Sequence, residues 1–159
     1  MSETKAREFW LKEHKVLVDE EFYPFISLYS WHIKKDKKTF YAYTNIKIAG
    51  KNHSISMHRF LTGIRDIQID HKDRNGLNNT LANLRFCTAG ENQRNRVRKN
   101  KWGLRGVYKV GKHKFAAQIQ VNGKKRCEYG FETAVDAAKR YDELSKEYHG
   151  EFGIRNFEK

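Results

Sequence analysis

The chain has 159 residues, enough for one ordinary domain or two small ones, and its formal charge of +13 with a pI near 9.8 points to a polyanionic partner. Its longest apolar stretch, residues 22–31, is too short to span a bilayer and is broken by Pro24, and the acids Glu3 and Glu8 argue against a secretory signal. Two cysteines, Cys87 and Cys127, have no paired metal-binding spacing, so no zinc staple is expected and a reduced cytoplasmic setting fits best.

The first fifty-odd residues read as short alternating strands. Val16-Leu17-Val18, Tyr41-Ala42-Tyr43 and Ile46-Lys47-Ile48 have period-two character, and residues 49–52 form a turn before Ile55-Ser56-Met57. Trp10, Phe22, Tyr23, Phe25, Leu28 and Trp31 are the expected core of this region. His14, His32 and His53 are scattered without ligand spacing and read as structural or surface residues.

Ile67-Gln68-Ile69 is a short expected strand that delivers Asp70 and His71 at its end. Residues 72–79 form a polar loop with an Asn-Gly turn signal, and Leu84-Arg85-Phe86-Cys87 returns as a second strand. Thr88 and Glu91 have capping-box spacing, which places Asn92 in the first turn of a helix. This order is expected to bring Asp70, His71 and Asn92 to one side of a hairpin-plus-helix unit.

A polar, basic connector follows, carrying Arg94, Arg96, Arg98, Lys99 and Lys101. Three strands are expected near residues 105–110, 114–121 and 124–131, with an Asn122-Gly123 turn joining the last two. In the middle one, Phe115, Ala117, Ile119 and Val121 share one face, and Ala116, Gln118 and Gln120 share the other. Thr133 and Asp136 signal the next helix, whose stripe of Ala134, Ala137, Ala138, Tyr141, Leu144 and Tyr148 would cover the sheet's inner face.

Charge divides along the same lines. Residues 1–92 carry 15 basic and 11 acidic side chains, residues 93–127 carry twelve basic and no acidic ones, and residues 128–159 carry five against eight. A solvated surface mixes signs, so the block at 93–127 reads as a nucleic-acid grip. It lacks the long apolar face an interfacial helix needs, which argues against a membrane.

Asp70-His71 followed by Asn83 and Asn92 is a minimal kit for metal-assisted phosphodiester hydrolysis. A carboxylate and an amide oxygen can hold a hard divalent cation, and histidine can take a proton from water near neutral pH. The run from Met57-His58-Arg59 through Asp70-His71, Asn83, Leu84-Arg85-Phe86-Cys87-Thr88 and Glu91-Asn92 resembles the HNH endonuclease family, most closely the homing type of phages and mobile introns. The resemblance implies a ββα-metal module with His71 as general base and Asp70 and Asn92 holding one Mg2+ or Mn2+. It also implies that Asn83 braces the loop and orients the His71 backbone. Asp73 is an extra carboxylate read here as a turn residue, and His58 is placed on a strand in a structural role, with a phosphate contact as the alternative.

Arg105-Gly106-Val107, the run 114–119, His149-Gly150 and Asn156-Phe157 resemble the Apetala-two/ethylene-response-factor DNA-binding domain. That resemblance implies a sheet inserted in the major groove, with Arg105, Tyr108, Gln118, Gln120, Lys124 and Arg126 among the contacts. The third strand reads Glu128-Tyr129-Gly130-Phe131, where that family has Leu-Gly-x-Phe. Its parity is open: either Arg126 and Glu128 face outward with Lys124, or Lys125 and Cys127 do.

The expected architecture is therefore α+β: a lead-in at 1–56, an HNH module at 57–99 and a DNA-binding domain at 100–159. The expected function is metal-dependent cleavage of double-stranded DNA by a monomer, with dimerisation as the alternative state, in a host cytoplasm if the gene is phage-borne. Competing readings are a non-catalytic DNA-binding regulator that retains an HNH scaffold, and a nuclease acting on RNA.

Overall fold

The computed structural model describes residues 5–37, 39–63, 66–96 and 100–158. It is a mixed α+β chain of several small sheets and few helices, and it divides into two compact units, residues 1–89 and 90–159. None of the described helices is long and apolar enough to cross a membrane.

In the first unit, β1 (Ala6–Leu11) and β2 (His14–Asp19) form an antiparallel hairpin. A second sheet has the order β3 (His32–Asp36), β4 (Thr39–Ile48), β5 (Lys51–Ser56). The two strands expected around residues 41–48 are one continuous ten-residue strand. Thr44 does not interrupt it, because its hydroxyl is buried and donates to the Ser30 carbonyl at 2.9 Å. The turn into β5 has positive φ at both central residues, Ala49 (48°) and Gly50 (77°), which matches the right-handed twist of the flanking strands.

Val16 and Val18, on one face of β2, pack with Ile26, Ala42, Met57 and Leu77 as the buried core. Tyr23 and Trp31 border that core, but Trp10, Phe25 and Leu28 are exposed, contrary to expectation. For Phe25 the reason is local: the single turn α1 (Tyr23–Ile26) buries only Ile26. The lead-in expected as a separate segment thus shares its core with Met57 and Leu77.

After β5 the chain enters α2 (Met57–Thr62), which ends at Gly63 in the left-handed region, φ 68°. His58 therefore sits on a helix, where a strand was expected. β6 (Gln68–His71) and β7 (Leu84–Cys87) form a two-stranded ladder in which Asp70 faces Arg85 and His71 faces Leu84. The helix α3 (Ala89–Arg94) starts at the boundary between the units.

The second unit has an antiparallel sheet of order β10 (Lys124–Phe131), β9 (Lys114–Val121), β8 (Val107–Val110). One face is covered by α4 (Ala134–His149), which buries Ala137, Ala138, Tyr141 and Leu144 against Val107, Ala117 and Ile119. The Thr133 hydroxyl caps this helix, accepting from the Asp136 amide at 3.1 Å. Asn156 ties the C-terminal segment to the unit's first strand. Its side chain accepts from the Arg105 amide and donates to the Arg105 carbonyl, while its own amide donates to Asp142.

Strand β10 settles the open parity. A register shift at Gly130, φ 95°, leaves Tyr129 exposed and returns Phe131 to the helix side. Lys125, Cys127 and Tyr129 face away from α4. Arg126 and Glu128 lie on the helix side, where Arg126 donates to the Tyr148 hydroxyl and Glu128 pairs with Arg140. Arg126, and with it Lys124, therefore leaves the list of outward-facing residues.

Gly106 is required twice over: its φ is 70°, and a β-carbon there would stand 1.9 Å from Tyr141 Cδ2. Left-handed strain and overpacking together set the cost of Gly106→Ala at about 2–4 kcal/mol. Urea unfolding of the two proteins is expected to show a matching loss in midpoint.

Candidate active site

The segment between β6 and β7 is a polar loop, and several of its backbone amides are satisfied by its own side chains. Asp73 Oδ1 accepts from the Asn75 amide (2.8 Å) and from Asn83 Nδ2 (2.9 Å), and Asp73 Oδ2 accepts from Asn78 Nδ2 (2.7 Å). Asn83 completes the knot: its Oδ1 accepts from the Asp73 amide at 3.0 Å, and its Nδ2 also donates to the Asn78 carbonyl at 2.8 Å. The Lys72 amide donates to the Asn83 carbonyl at 2.9 Å, directly after His71. Asn83 is thus placed as a brace of the loop, and Asp73 as the centre of its turn.

From outside, the hairpin β1–β2 holds the same loop. The Leu17 amide donates to the Leu77 carbonyl, the Asn79 amide donates to the Leu17 carbonyl, and buried Asp19 accepts from the Leu81 amide at 2.7 Å. Gly76 lies on Tyr41, where a β-carbon would meet the ring at 2.5 Å.

Asp70 and His71 are both buried. Asp70 Oδ2 accepts from Arg85 Nε at 3.0 Å and Nη2 at 2.8 Å, a cross-strand ion pair about nine-tenths buried on both sides. His71 Nε2 faces Asn79 Oδ1 at 3.4 Å, and its ring meets those of His58 (centroids 5.1 Å apart, perpendicular) and Tyr41 (5.9 Å). His58 Nε2 is 3.0 Å from Ser56 Oγ, at the entrance to α2.

Burial pushes the His71 imidazole below its ordinary pKa, while Asn79, Asp73 and Asp70 pull it back. His58 is pushed down to about 3, first by burial and then by His71 and Arg59. Two adjacent buried imidazoles cannot both carry charge cheaply, so the pair favours neutrality.

Asn92 lies on α3 in the second unit, so the first unit's geometry does not include it. Of the basic residues, Arg94 ends α3, Lys101 lies over the Trp102 ring at 4.7 Å, and Arg98 and Lys99 fall outside the described residues. Arg105 donates from Nε to the Tyr141 hydroxyl at 2.7 Å and from Nη1 to the Arg96 carbonyl. Tyr108, Gln118 and Gln120 sit on the sheet face opposite α4. There, hydrogen bonding to Cys127, with burial and Tyr129, raises the Tyr108 phenol.

Reading the sequence alone missed Arg85, Asn79, Tyr41 and the part played by His58. Arg85 was legible in principle, since pairing the two strands antiparallel puts it opposite Asp70. The others arrive from the loop and the N-terminal sheet, with no spacing to mark them.

The chain is 30% identical over 141 residues to an uncharacterized HNH endonuclease of Acanthamoeba polyphaga mimivirus, covering 84% of this chain and 74% of that protein. The chain belongs to the HNH endonuclease family. No protein-family model and no solved structure matches it. Among the described residues no group of three or more His, Cys, Asp or Glu side chains could hold a metal ion.

A buried His58 whose folded pKa is near 3 and whose unfolded value is near 6.5 binds fewer protons folded than unfolded between those limits. Its contribution is fully present above pH 6.5 and is lost as pH falls toward 3, reaching roughly 2 kcal/mol of lost stability by pH 5. His58→Gln keeps a donor for Ser56 but does not titrate. Its unfolding free energy is expected to fall less steeply than that of wild type between pH 6.5 and 4.5, measured by urea melts.

Proposed function

We propose that the protein is a metal-dependent DNA endonuclease that hydrolyses phosphodiester bonds with His71 as general base. The observation that carries this reading is the restrained His71 beside Asp70, in a loop braced by Asn83. His71 is buried, kept neutral by its surroundings and aimed by Asn79, His58 and Tyr41.

Asn79 also bears on which nitrogen acts. A carbonyl oxygen facing Nε2 favours the tautomer with hydrogen on Nε2, so Nε2–H donates to Asn79 and Nδ1 keeps the lone pair. The other Asn79 atom, Nδ2, is buried without a partner among the described residues, at a cost of about 1–3 kcal/mol. Such a cost is tolerable where an amide must be held in one orientation.

The donor chemistry fits one hard divalent ion, Mg2+ or Mn2+. Asp70 and the Asn92 amide oxygen would hold it, and the remaining positions would go to water and substrate phosphate. Arg85 fixes Oδ2 of Asp70 and so sets the direction of the carboxylate, an orienting task suited to a ligand. When bound, the ion would supply charge neutralisation at the phosphate and the departing 3′ oxygen. His71 takes the water proton and Asn83 keeps the loop in register.

The second unit would recruit DNA as an Apetala-two/ethylene-response-factor-like domain. Gln118 and Gln120 lie on the open sheet face with Tyr108 and Lys125, where glutamine can pair with adenine edges. Arg94, Arg96, Arg98, Lys99, Lys101 and Arg105 would mainly meet phosphates. The non-catalytic regulator reading is weaker, because a mere scaffold has no need of a buried neutral histidine tied into this network.

Wild type with Mg2+ or Mn2+ is expected to cut supercoiled plasmid, with EDTA abolishing the reaction and His71→Ala slowing it by about 10²–10⁴-fold. A folded wild type that leaves every tested DNA intact would sink the enzyme reading, and equal cutting by His71→Ala would sink the assignment of the base. If about six phosphates are neutralised, log K for DNA should fall with log salt at a slope of roughly −5. A much flatter slope in filter binding would remove the basic connector from the interface.

A further inference from the structure

Strand β8 begins at Val107 while β9 runs to Val121, so the last residues of β9 extend past their neighbour. The Gln118 amide still reaches the Gly106 carbonyl at 2.7 Å, and beyond it His149 takes the place of a strand, Nε2 donating to the Gln120 carbonyl at 2.8 Å. A cleft of about 390 Å3 opens at this edge, lined among others by Arg94, Arg105, Gln118, Gln120, Tyr141 and His149. That volume suits a small-molecule group larger than a bare anion.

Three features of the cleft point to one ligand chemistry. Among the described residues no carboxylate lines it, whereas two guanidiniums do. Arg105 is pre-set by its bonds to the Tyr141 hydroxyl and the Arg96 carbonyl, so it loses little freedom on binding. His149 is 8% exposed, and with Nε2 committed to Gln120, its Nδ1 is buried without a partner among the described residues. Buried polar atoms are nearly always paired, so an orphan lining a cationic cleft asks for a ligand.

We infer that the second unit holds a phosphate-ester pocket in which Arg94, Arg105 and the Nδ1 atom of His149 grip one phosphoryl group. Binding takes a proton from the buffer onto Nδ1, which then donates to a phosphate oxygen. The charged groups facing His149 are Arg94 on α3 and Arg105 ahead of β8, and with burial they keep the empty pocket's imidazole neutral. An anion seated between them reverses that balance. The phosphate belongs either to the backbone of a bound strand or to a free nucleotide; only the first source rests on the nuclease reading. The cleft opens at the sheet edge, where Gln118 and Gln120 line it, whereas Tyr108 and Lys125 on the same sheet face do not.

The test is calorimetric titration of the full chain with inorganic phosphate, deoxyadenosine 5′-monophosphate and a short duplex in metal-free buffer, at pH 6 and 8. Two buffers of different ionisation enthalpy count the protons. Wild type is expected to take up close to one proton and to bind a phosphate ester up to about a hundredfold more tightly at pH 6 than at pH 8. In His149→Gln the amide nitrogen can replace Nε2 at Gln120 but offers nothing at Nδ1, so proton uptake by the protein should vanish, leaving only the pH dependence of the phosphate's own second ionisation near pH 6. Arg94→Gln, on the short α3, should weaken binding about tenfold while proton uptake persists.

Uptake with the monophosphate assigns a nucleotide source, and uptake with the duplex alone assigns the strand backbone. If no probe binds wild type with proton uptake, or His149→Gln keeps the wild-type pH dependence, the pocket is refuted. The readout involves no cleavage, so a protein that binds this way yet cuts no DNA fails the nuclease reading alone.

Discussion

The site depends on how a polar loop of twelve residues is kept in one conformation. Residues 72–83 have no sheet to lie in, and their backbone groups would be costly to bury unpaired. The loop answers with its own side chains, Asp73, Asn75, Asn78 and Asn83, each of which replaces a strand neighbour for some amide. Such short polar side chains suit turns because they reach backbone groups two residues away. The outer face is closed by the Leu17 backbone and the Asp19 carboxylate. His71 stands at the start of this loop, so the restraint on the loop is also the restraint on the proposed base.

That arrangement makes the N-terminal hairpin part of the site's support. Val16 and Val18 face the core, and the peptide of Leu17 between them faces the loop. One strand therefore serves packing through its side chains and the loop through its backbone. Asp70 shows the complementary economy: its two-atom grip by Arg85 stands in for the hydration it loses on burial. A buried ion pair of this kind adds little net stability, but removing either partner strands a charge.

How much of this was legible followed from which interactions are local. The Asp70–His71 strand, the return at Leu84–Cys87 and the helix after Thr133 are set by alternation, turn residues and a cap within a few residues, and all appear where the pattern put them. Trp10, Phe25 and Leu28 were misread as core because burial is a tertiary outcome, and a four-residue helix can bury only one of its apolar side chains. His58 was misplaced on a strand because Ile55-Ser56-Met57 continues an alternating pattern that the helix at Met57 ends. Its contact with His71 joins residues thirteen positions apart on different elements, and no periodicity records that. In β10 the ambiguity was real: Gly130 in a left-handed conformation shifts the register, and only coordinates show on which side of it the alternation slips.

On the proposed reading, the distribution of charge along the sequence separates two tasks that pull in opposite directions. A general base must stay neutral and therefore gains from burial and from distance to cations, whereas a DNA grip gains from every lysine and arginine added. In the first unit His71 lies among His58, Tyr41 and Asn79, and the Arg85 guanidinium pairs with Asp70. The twelve unbalanced basic residues fall at 93–127, all in the second unit. On the proposed reading, a cation packed directly against His71 would depress the basicity that proton transfer needs. Segregating the two along the sequence lets each be tuned without spoiling the other.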